Sequence, residues 1–293
     1  MKGAIIINAY GRPVQSVNQA NRIKDEFSRL GVAVDIILDG SLKVALEQGK
    51  LATKLNIYDF IVYLDKDKYL SEALSLCGMR LFNSHEAVRV CDDKGQTVLR
   101  LANSGVNMPD TIFGALSFSE EDKIDGARAD EIIKKLSLPV VVKESFGSMG
   151  KGVYKADSRE ELISIMEKVK LKPHIFQKFC GISGKDIRVI VIGKKAVAYY
   201  MRVNDGDFRS NYAIGGKGEM VNNIDERFIK TAEKVASVLG LDYCGVDLLI
   251  GENNTPYVCE VNSNAFFEGI ESVTGVNIAR LYAEYIISQV KGN

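Results

Sequence analysis

The sequence predicts a mixed fold, a parallel α/β lobe followed by two α+β lobes. Three observations carry this. Apolar runs alternate with helix-period segments over the first eighty residues, a glycine-rich loop then lies between two short strands, and hairpins dominate the last third. Strands separated by helices imply a mostly parallel sheet, whereas strands joined by tight turns imply antiparallel pairing.

In chain order, Ala4–Asn8 reads as a buried strand. Ser16 with Gln19 forms a capping box ahead of Ala20, Ile23, Phe27 and Leu30, and Gly31 ends that helix. Val32–Leu38, Phe60–Leu64 and Leu81–Asn83 are further strands; the turn Ala9–Pro13 lacks the GxGxxG of a dinucleotide site. A boundary falls near residues 84–92, where Ser84 caps a helix holding Glu86–Cys91. A helix with Lys94, Val98 and Leu101 follows, then helix Ala129–Leu136, strands Val140–Lys143 and Val153–Ala156, a Ser158-capped helix to Val169, and strand His174–Phe179. The last third holds the hairpin Asp186–Ile192 with Ala196–Arg202, a helix from Phe228 to Leu239, the hairpin Gly245–Ile250 with Tyr257–Val261, and a terminal helix from Ile278 to Ile286.

Lys plus Arg (38) balances Asp plus Glu (38), so no general nucleic-acid or membrane surface is expected. No apolar run approaches the ~20 residues of a membrane span, and the run after Met1 stops at Asn8, too short for an export signal. Five scattered cysteines and two histidines argue for reduced thiols in the cytoplasm and against a zinc hydrolase.

If the last hairpin turns at Asn253-Asn254, Asp247 stands opposite Glu260, and Asn262 shares the face of Glu260. Leu248, Val261 and Cys259 then point the other way. Two carboxylates and an amide oxygen on one spot are hard ligands suited to Mg2+, which keeps waters and bridges to phosphates. Glu268, in a Phe266–Gly269 loop, adds a further carboxylate nearby. The bland alternative is an acidic rim on an exposed sheet.

Gly147-Ser148-Met149-Gly150-Lys151-Gly152 joins two strands and lets backbone N–H groups cradle an oligophosphate, although it is no Walker A loop. A structural glycine hairpin is the alternative. Lys143 closes the strand Val140-Val141-Val142, a costly place for a cation unless an anion meets it. Lys94 is a second phosphate candidate or a solvated lysine. Arg188 and Arg202 flank the turn Gly193-Lys194-Lys195 and offer bidentate contacts to carboxylate or phosphate, or else a salt-bridged sheet surface. Arg209-Ser210-Asn211 opens another donor-rich loop.

Taken in order, Asp92-Asp93-Lys94, Val141–Gly152, Gln177-Lys178-Phe179, Gly184–Arg188, Gly206–Asn211, Gly245-Val246-Asp247, Glu260-Val261-Asn262 and Phe267–Glu271 resemble the ATP-grasp superfamily. The closest likeness is to its RimK-like branch of glutamate ligases, and it covers essentially the whole chain. The resemblance implies an ATP-grasp fold with an N-terminal α/β lobe at 1–88, a central subdomain at 89–179 with the phosphate loop, and a C-terminal subdomain at 180–293 with the metal hairpin.

It further implies that Lys94, Lys143 and the loop 147–152 contact phosphates, while Gln177, Lys178 and Phe179 form the adenine hinge with Asp186 beside the nucleotide. Arg202, Arg209, Ser210 and Asn211 meet nucleotide or substrate, with Lys143, Arg188, Arg202 and Asn211 as the catalytic set. Asp247, Glu260 and Asn262 hold two Mg2+ ions, for which Mn2+ substitutes. The implied reaction adds L-glutamate to an amine acceptor through an acyl phosphate, in a homodimer or homotetramer, without nucleic acid or membrane partners. Three alternatives stay open: a ligase using another amino acid to make a short peptide or modify a carrier protein, a non-catalytic ATP-binding module, and a lobed sugar-binding protein. The turn after Asn262 departs from the family: Ser263–Phe267 carries aromatics and no proline, which bears on the acceptor rather than the chemistry.

Overall fold

The computed structural model describes residues 1–10, 14–40 and 43–292, so Gly11-Arg12-Pro13 of the first turn lie outside the described residues. The first lobe comprises β1 (Lys2–Ile7), α1 (Val14–Arg29), β2 (Ala33–Leu38), β3 (Val44–Glu47), β4 (Lys50–Thr53), β5 (Phe60–Tyr63), α2 (Lys68–Leu76) and β6 (Leu81–Phe82). Its parallel sheet runs β2-β1-β5-β6, with β3 and β4 as a separate hairpin. Ile5, Phe60 and Val62 pack against Ile23 and Phe27 of α1, the i, i+4 stripe expected of an amphipathic helix.

The Ser16–Gln19 capping box is corrected: α1 already includes Val14, so Ser16 sits inside it. Gln19 instead turns inward, and its Nε2 donates to the Ala265 carbonyl at 3.1 Å. At the other end Gly31 adopts φ +75°, a left-handed conformation that costs glycine little, and Val32 N–H closes back on Phe27 O at 2.9 Å.

Helices α3 (His85–Asp92) and α4 (Lys94–Leu101) follow, capped by Ser84 and Asp93. Ala87, Val90, Cys91 and Leu101 bury their side chains in the core of the C-terminal sheet. Next come β7 (Thr111–Phe113), α5 (Gly126–Leu136), β8 (Val140–Glu144), β9 (Val153–Ala156), α6 (Arg159–Val169) and β10 (His174–Lys178). They form an antiparallel sheet β7-β10-β8-β9 with α5 and α6 covering its apolar face.

The last segment holds β11 (Lys185–Ile192), β12 (Lys195–Val203), β13 (Lys217–Glu219), α7 (Glu226–Val238), β14 (Tyr243–Ile250), β15 (Pro256–Asn262), α8 (Glu268–Thr274) and α9 (Ile278–Lys291). Its sheet runs β13-β12-β11-β14-β15. Ile187, Val189 and Val191 face α7, while Ile190 on the opposite face joins α1 and α9 in a core shared with the first lobe. No helix of the described residues is long and apolar enough to cross a membrane.

Candidate functional site

A cleft opens between the central and C-terminal sheets, a junction of the kind where small-molecule sites commonly form. Strand alternation builds its first wall. On β8, Val140 and Val142 enter the core, leaving Val141 and Lys143 to face the cleft. The loop 147–152 follows, with Gly147, Met149, Gly150 and Gly152 all at positive φ. At Gly152 a Cβ would stand 3.0 Å from the Glu144 side chain, so glycine is required for both φ and space. Lys94 lies under this loop, its Nζ 3.0 Å from the Gly147 carbonyl.

Lys94 and Lys143 are 8% and 7% exposed, a depth at which an ammonium is stable only with partners. Lys143 Nζ reaches the Cys259 carbonyl across the cleft at 3.3 Å, so the lobes already touch there. Burial depresses the Lys94 pKa; Glu260 opposes that shift and Lys143 adds to it. Two buried lysines lining one cleft beside the glycine loop describe a phosphate site better than a surface.

The second wall is a ladder of alternating charge. Register places Asp186 opposite Arg202 and Arg188 opposite Asp247. Arg188 grips Asp247 with Nε and NH2 at 2.7 and 2.8 Å. Arg202 bonds Asp186 through Nε at 2.7 Å and NH2, and reaches Asp247 at 2.8 Å. Ser210 Oγ donates to Asp186 at 2.6 Å. Burial alone would raise the Asp247 pKa, but Arg188 and Arg202 outweigh it and hold the carboxyl below its ordinary value. Two guanidinium groups thus balance the Asp247 carboxylate that stands opposite Glu260.

Asp247 does stand opposite Glu260, the register expected from a turn at Asn253-Asn254. Asn262, opposite Gly245, follows two residues further along the same strand and lies outside the cleft lining. Two expectations are corrected. A β-bulge at Asp247/Leu248 inserts an extra residue into β15, so Val258 and Val261 both enter the core and Cys259 turns to the cleft, its Sγ 3.6 Å from Lys143 Nζ. Glu268 begins α8 and lines a different cavity, so it adds nothing to this carboxylate pair.

The donor set fits Mg2+. Among the described residues no cluster of three or more His, Cys, Asp or Glu side chains could hold a metal. Two carboxylates and an amide suit an ion that completes its shell with water and phosphate, whereas a dedicated protein cage would need more.

Lys178, Phe179 and Asn211 also line the cleft, and Gln177 donates to Thr111 Oγ1 at 3.0 Å. Arg209 ties the loops together, its NH1 2.8 Å from the Gly150 carbonyl. Of the loop 147–152 only Gly150 lines the cleft; Gly147, Ser148, Met149, Lys151 and Gly152 stay outside the lining, as does Arg188. Sequence reasoning missed the apolar end of the cleft, formed by Pro109, Ile182, Phe208 and Leu249 with Phe179. These come from four separate segments, so no local spacing could have flagged them.

Human beta-citrylglutamate synthase B is 31% identical over 270 residues, which is 86% of this chain and 68% of that protein. Probable alpha-L-glutamate ligase 2 of Pseudoalteromonas atlantica is 32% identical over 295 residues, 95% of this chain and 94% of the relative. The D-alanine–D-alanine ligase of Bacillus anthracis superposes with a TM-score of 0.77 at 20% identity, covering 100% of this chain and 99% of that one, a likeness of fold. Residues 91–286 match the RimK-like ATP-grasp domain. With a cleft walled by two lysines, Gly150 of the glycine loop and a carboxylate pair, this chain belongs to the RimK-like ATP-grasp family and is an ATP-dependent ligase.

Proposed function

We propose that the chain joins L-glutamate to an amine acceptor through an amide bond, activating a carboxylate with ATP. One observation carries the assignment of roles: Lys94, Lys143 and Gly150 of the glycine loop line the same cleft as Arg202, Asp247 and Glu260. ATP with Mg2+, when bound, would transfer a phosphoryl group to the carboxylate and so provide the leaving group that the amine displaces.

The chain's own part is positioning and charge. Lys94, Lys143 and the N–H groups of residues 147–152 hold phosphate oxygens, while the apolar end beside Gln177, Lys178 and Phe179 takes the adenine. Asp247, Glu260 and Asn262 would hold Mg2+, as two ions for which Mn2+ would substitute, and the metal would offset phosphate charge. Asp186 and Ser210 orient Arg202. Arg202, Arg209 and Asn211 meet the transferred phosphoryl or the substrate carboxylate, and Arg188 acts behind them by holding Asp247. The lobes at 1–88, 89–179 and 180–293 together exclude water from the activated carboxylate. The named relatives support glutamate as one substrate.

The test is a screen of ATP, Mg2+ and L-glutamate against amines. Because glutamate also bears an amine, the screen includes carboxylic acids. Phosphate release and product mass are followed. The expected product carries glutamate with loss of one water, and Glu260→Gln lowers the rate by about a hundredfold or more. The assignment fails if no pair releases phosphate, or if the variant keeps the parental rate.

A further inference from the structure

The open end of the metal hairpin is held from the first lobe. Asn83, directly after β6, is 1% exposed, and its side-chain amide makes four hydrogen bonds to the C-terminal segment. Nδ2 donates to the Tyr243 carbonyl at 2.8 Å and to the Ser263 carbonyl at 2.7 Å. Oδ1 accepts from the N–H groups of Asp242 at 2.7 Å and Tyr243 at 2.9 Å. Two donors and two lone pairs are the whole capacity of an amide, so this buried side chain is fully engaged. Its partners lie at the entry of β14 and just past the exit of β15, opposite the turn of the hairpin. A satisfied buried polar network rigidifies the elements it joins.

The segment leaving β15 is tethered further along as well. Asn264 Nδ2 donates to the carbonyl of Leu64, the residue after β5, at 2.7 Å. The Ala265 carbonyl accepts from the Tyr243 hydroxyl at 2.6 Å and from Gln19 Nε2 at 3.1 Å. A Cβ on Gly245 would stand 2.6 Å from Ala265 Cβ, so the segment crosses closely over the residue paired with Asn262. No proline restricts residues 262–267, and these contacts supply the restraint instead. Asp247 is fixed by Arg188 and Arg202, and Glu260 by its place within the paired strand. Asn262 is the last residue of β15, and the next carbonyl along the chain is the one Asn83 holds.

We propose that Asn83 is a positioning residue for Asn262, through which the first lobe sets the geometry of the metal hairpin, with Asn264 as a second tether. The inference rests on reading Asp247, Glu260 and Asn262 as Mg2+ ligands. Asn83 acts through the backbone of Ser263, as the outer partners that orient metal ligands do.

The test measures ADP affinity by calorimetry, once with Mg2+ and once with EDTA; the ratio of the two is the Mg2+ gain. It is run on the parent, Asn83→Asp, Asn264→Leu and Glu260→Gln. Asn83→Asp keeps an acceptor for the two N–H groups and loses both donors to the carbonyls. Its added negative charge favours a nearby cation, so a smaller Mg2+ gain reports geometry rather than charge. The expected gain falls about tenfold in Asn83→Asp, and by a smaller factor in Asn264→Leu, with ADP affinity in EDTA unchanged. A parental Mg2+ gain in the folded variants, or an equal loss of affinity with and without Mg2+, would overturn the proposal. Where urea unfolding shows that Asn83→Asp does not fold, Asn264→Leu, at a half-buried position, decides by the same criteria. Glu260→Gln separates the two readings. If it loses the gain while the tether variants keep it, only the role of Asn83 falls; if it keeps the gain, the metal reading falls and the proposal with it.

Discussion

Replacing Arg202 with Met removes the cation at the centre of the charge ladder while keeping most of the side-chain volume. Arg202 is 2% exposed and bridges Asp186, at 2.7 Å, to Asp247, at 2.8 Å. Without it, Asp247 retains Arg188, but among the described residues Asp186 keeps only the Ser210 hydroxyl. Removing one partner of a buried ion pair costs ~3–5 kcal/mol, because the remaining charge is buried without compensation. With a urea m-value of ~3 kcal/mol/M, the unfolding midpoint should fall by ~1–1.7 M. Adding Asp186→Leu removes the stranded carboxylate as well, and the double variant should return to within ~1–2 kcal/mol of the parent. The assay is equilibrium urea unfolding by circular dichroism on the parent, both single variants and the double variant. A midpoint shift below ~0.3 M for Arg202→Met, or a double variant no more stable than the single, would refute the ladder as an energetically coupled unit.

Two further outcomes are expected. Lys143→Met should weaken Mg-ADP binding about tenfold by calorimetry, since a phosphate would lose a charge-assisted contact; unchanged affinity would contradict the phosphate role. In the first lobe, burial and a hydrogen bond with Asp39 push the Asp65 carboxyl up to about 7. Its unfolded value is ~3.9, so between those values the folded chain holds a proton that the unfolded chain releases, and stability falls as pH rises from ~4 to ~7. Asp65→Asn should abolish that slope, equalling the parent near the lower limit and exceeding it above pH 7; parallel stability–pH curves would disprove it.

Much of the molecule was legible because its signals are local. Glycine loop, caps and strand alternation each lie within ten residues, so β8, β9 and the Ser84 cap emerge from spacing alone. The register of β14 with β15 was legible near the metal pair because one turn sets it, bringing Asp247 opposite Glu260. It failed one residue later, at the bulge, since an inserted residue leaves no mark in a pattern of apolar side chains. Glu268 was misplaced for a related reason. The chain turns into α8 after Phe267, and a seven-residue helix has too few periods to declare itself.

The sequence by itself determined which groups are available: two lysines ahead of and within a buried strand, a flexible glycine turn, and carboxylates spaced for one face of a hairpin. Only the tertiary structure decided which of them meet. It turned Arg188 and Arg202 onto Asp247, brought Lys143 to Cys259 from 116 residues away, and closed the far side of α1 with Phe266. Local patterns specify a side chain's face, but which surface it faces depends on lobe packing, where burial and charge pairing are weighed over contacts distant in sequence.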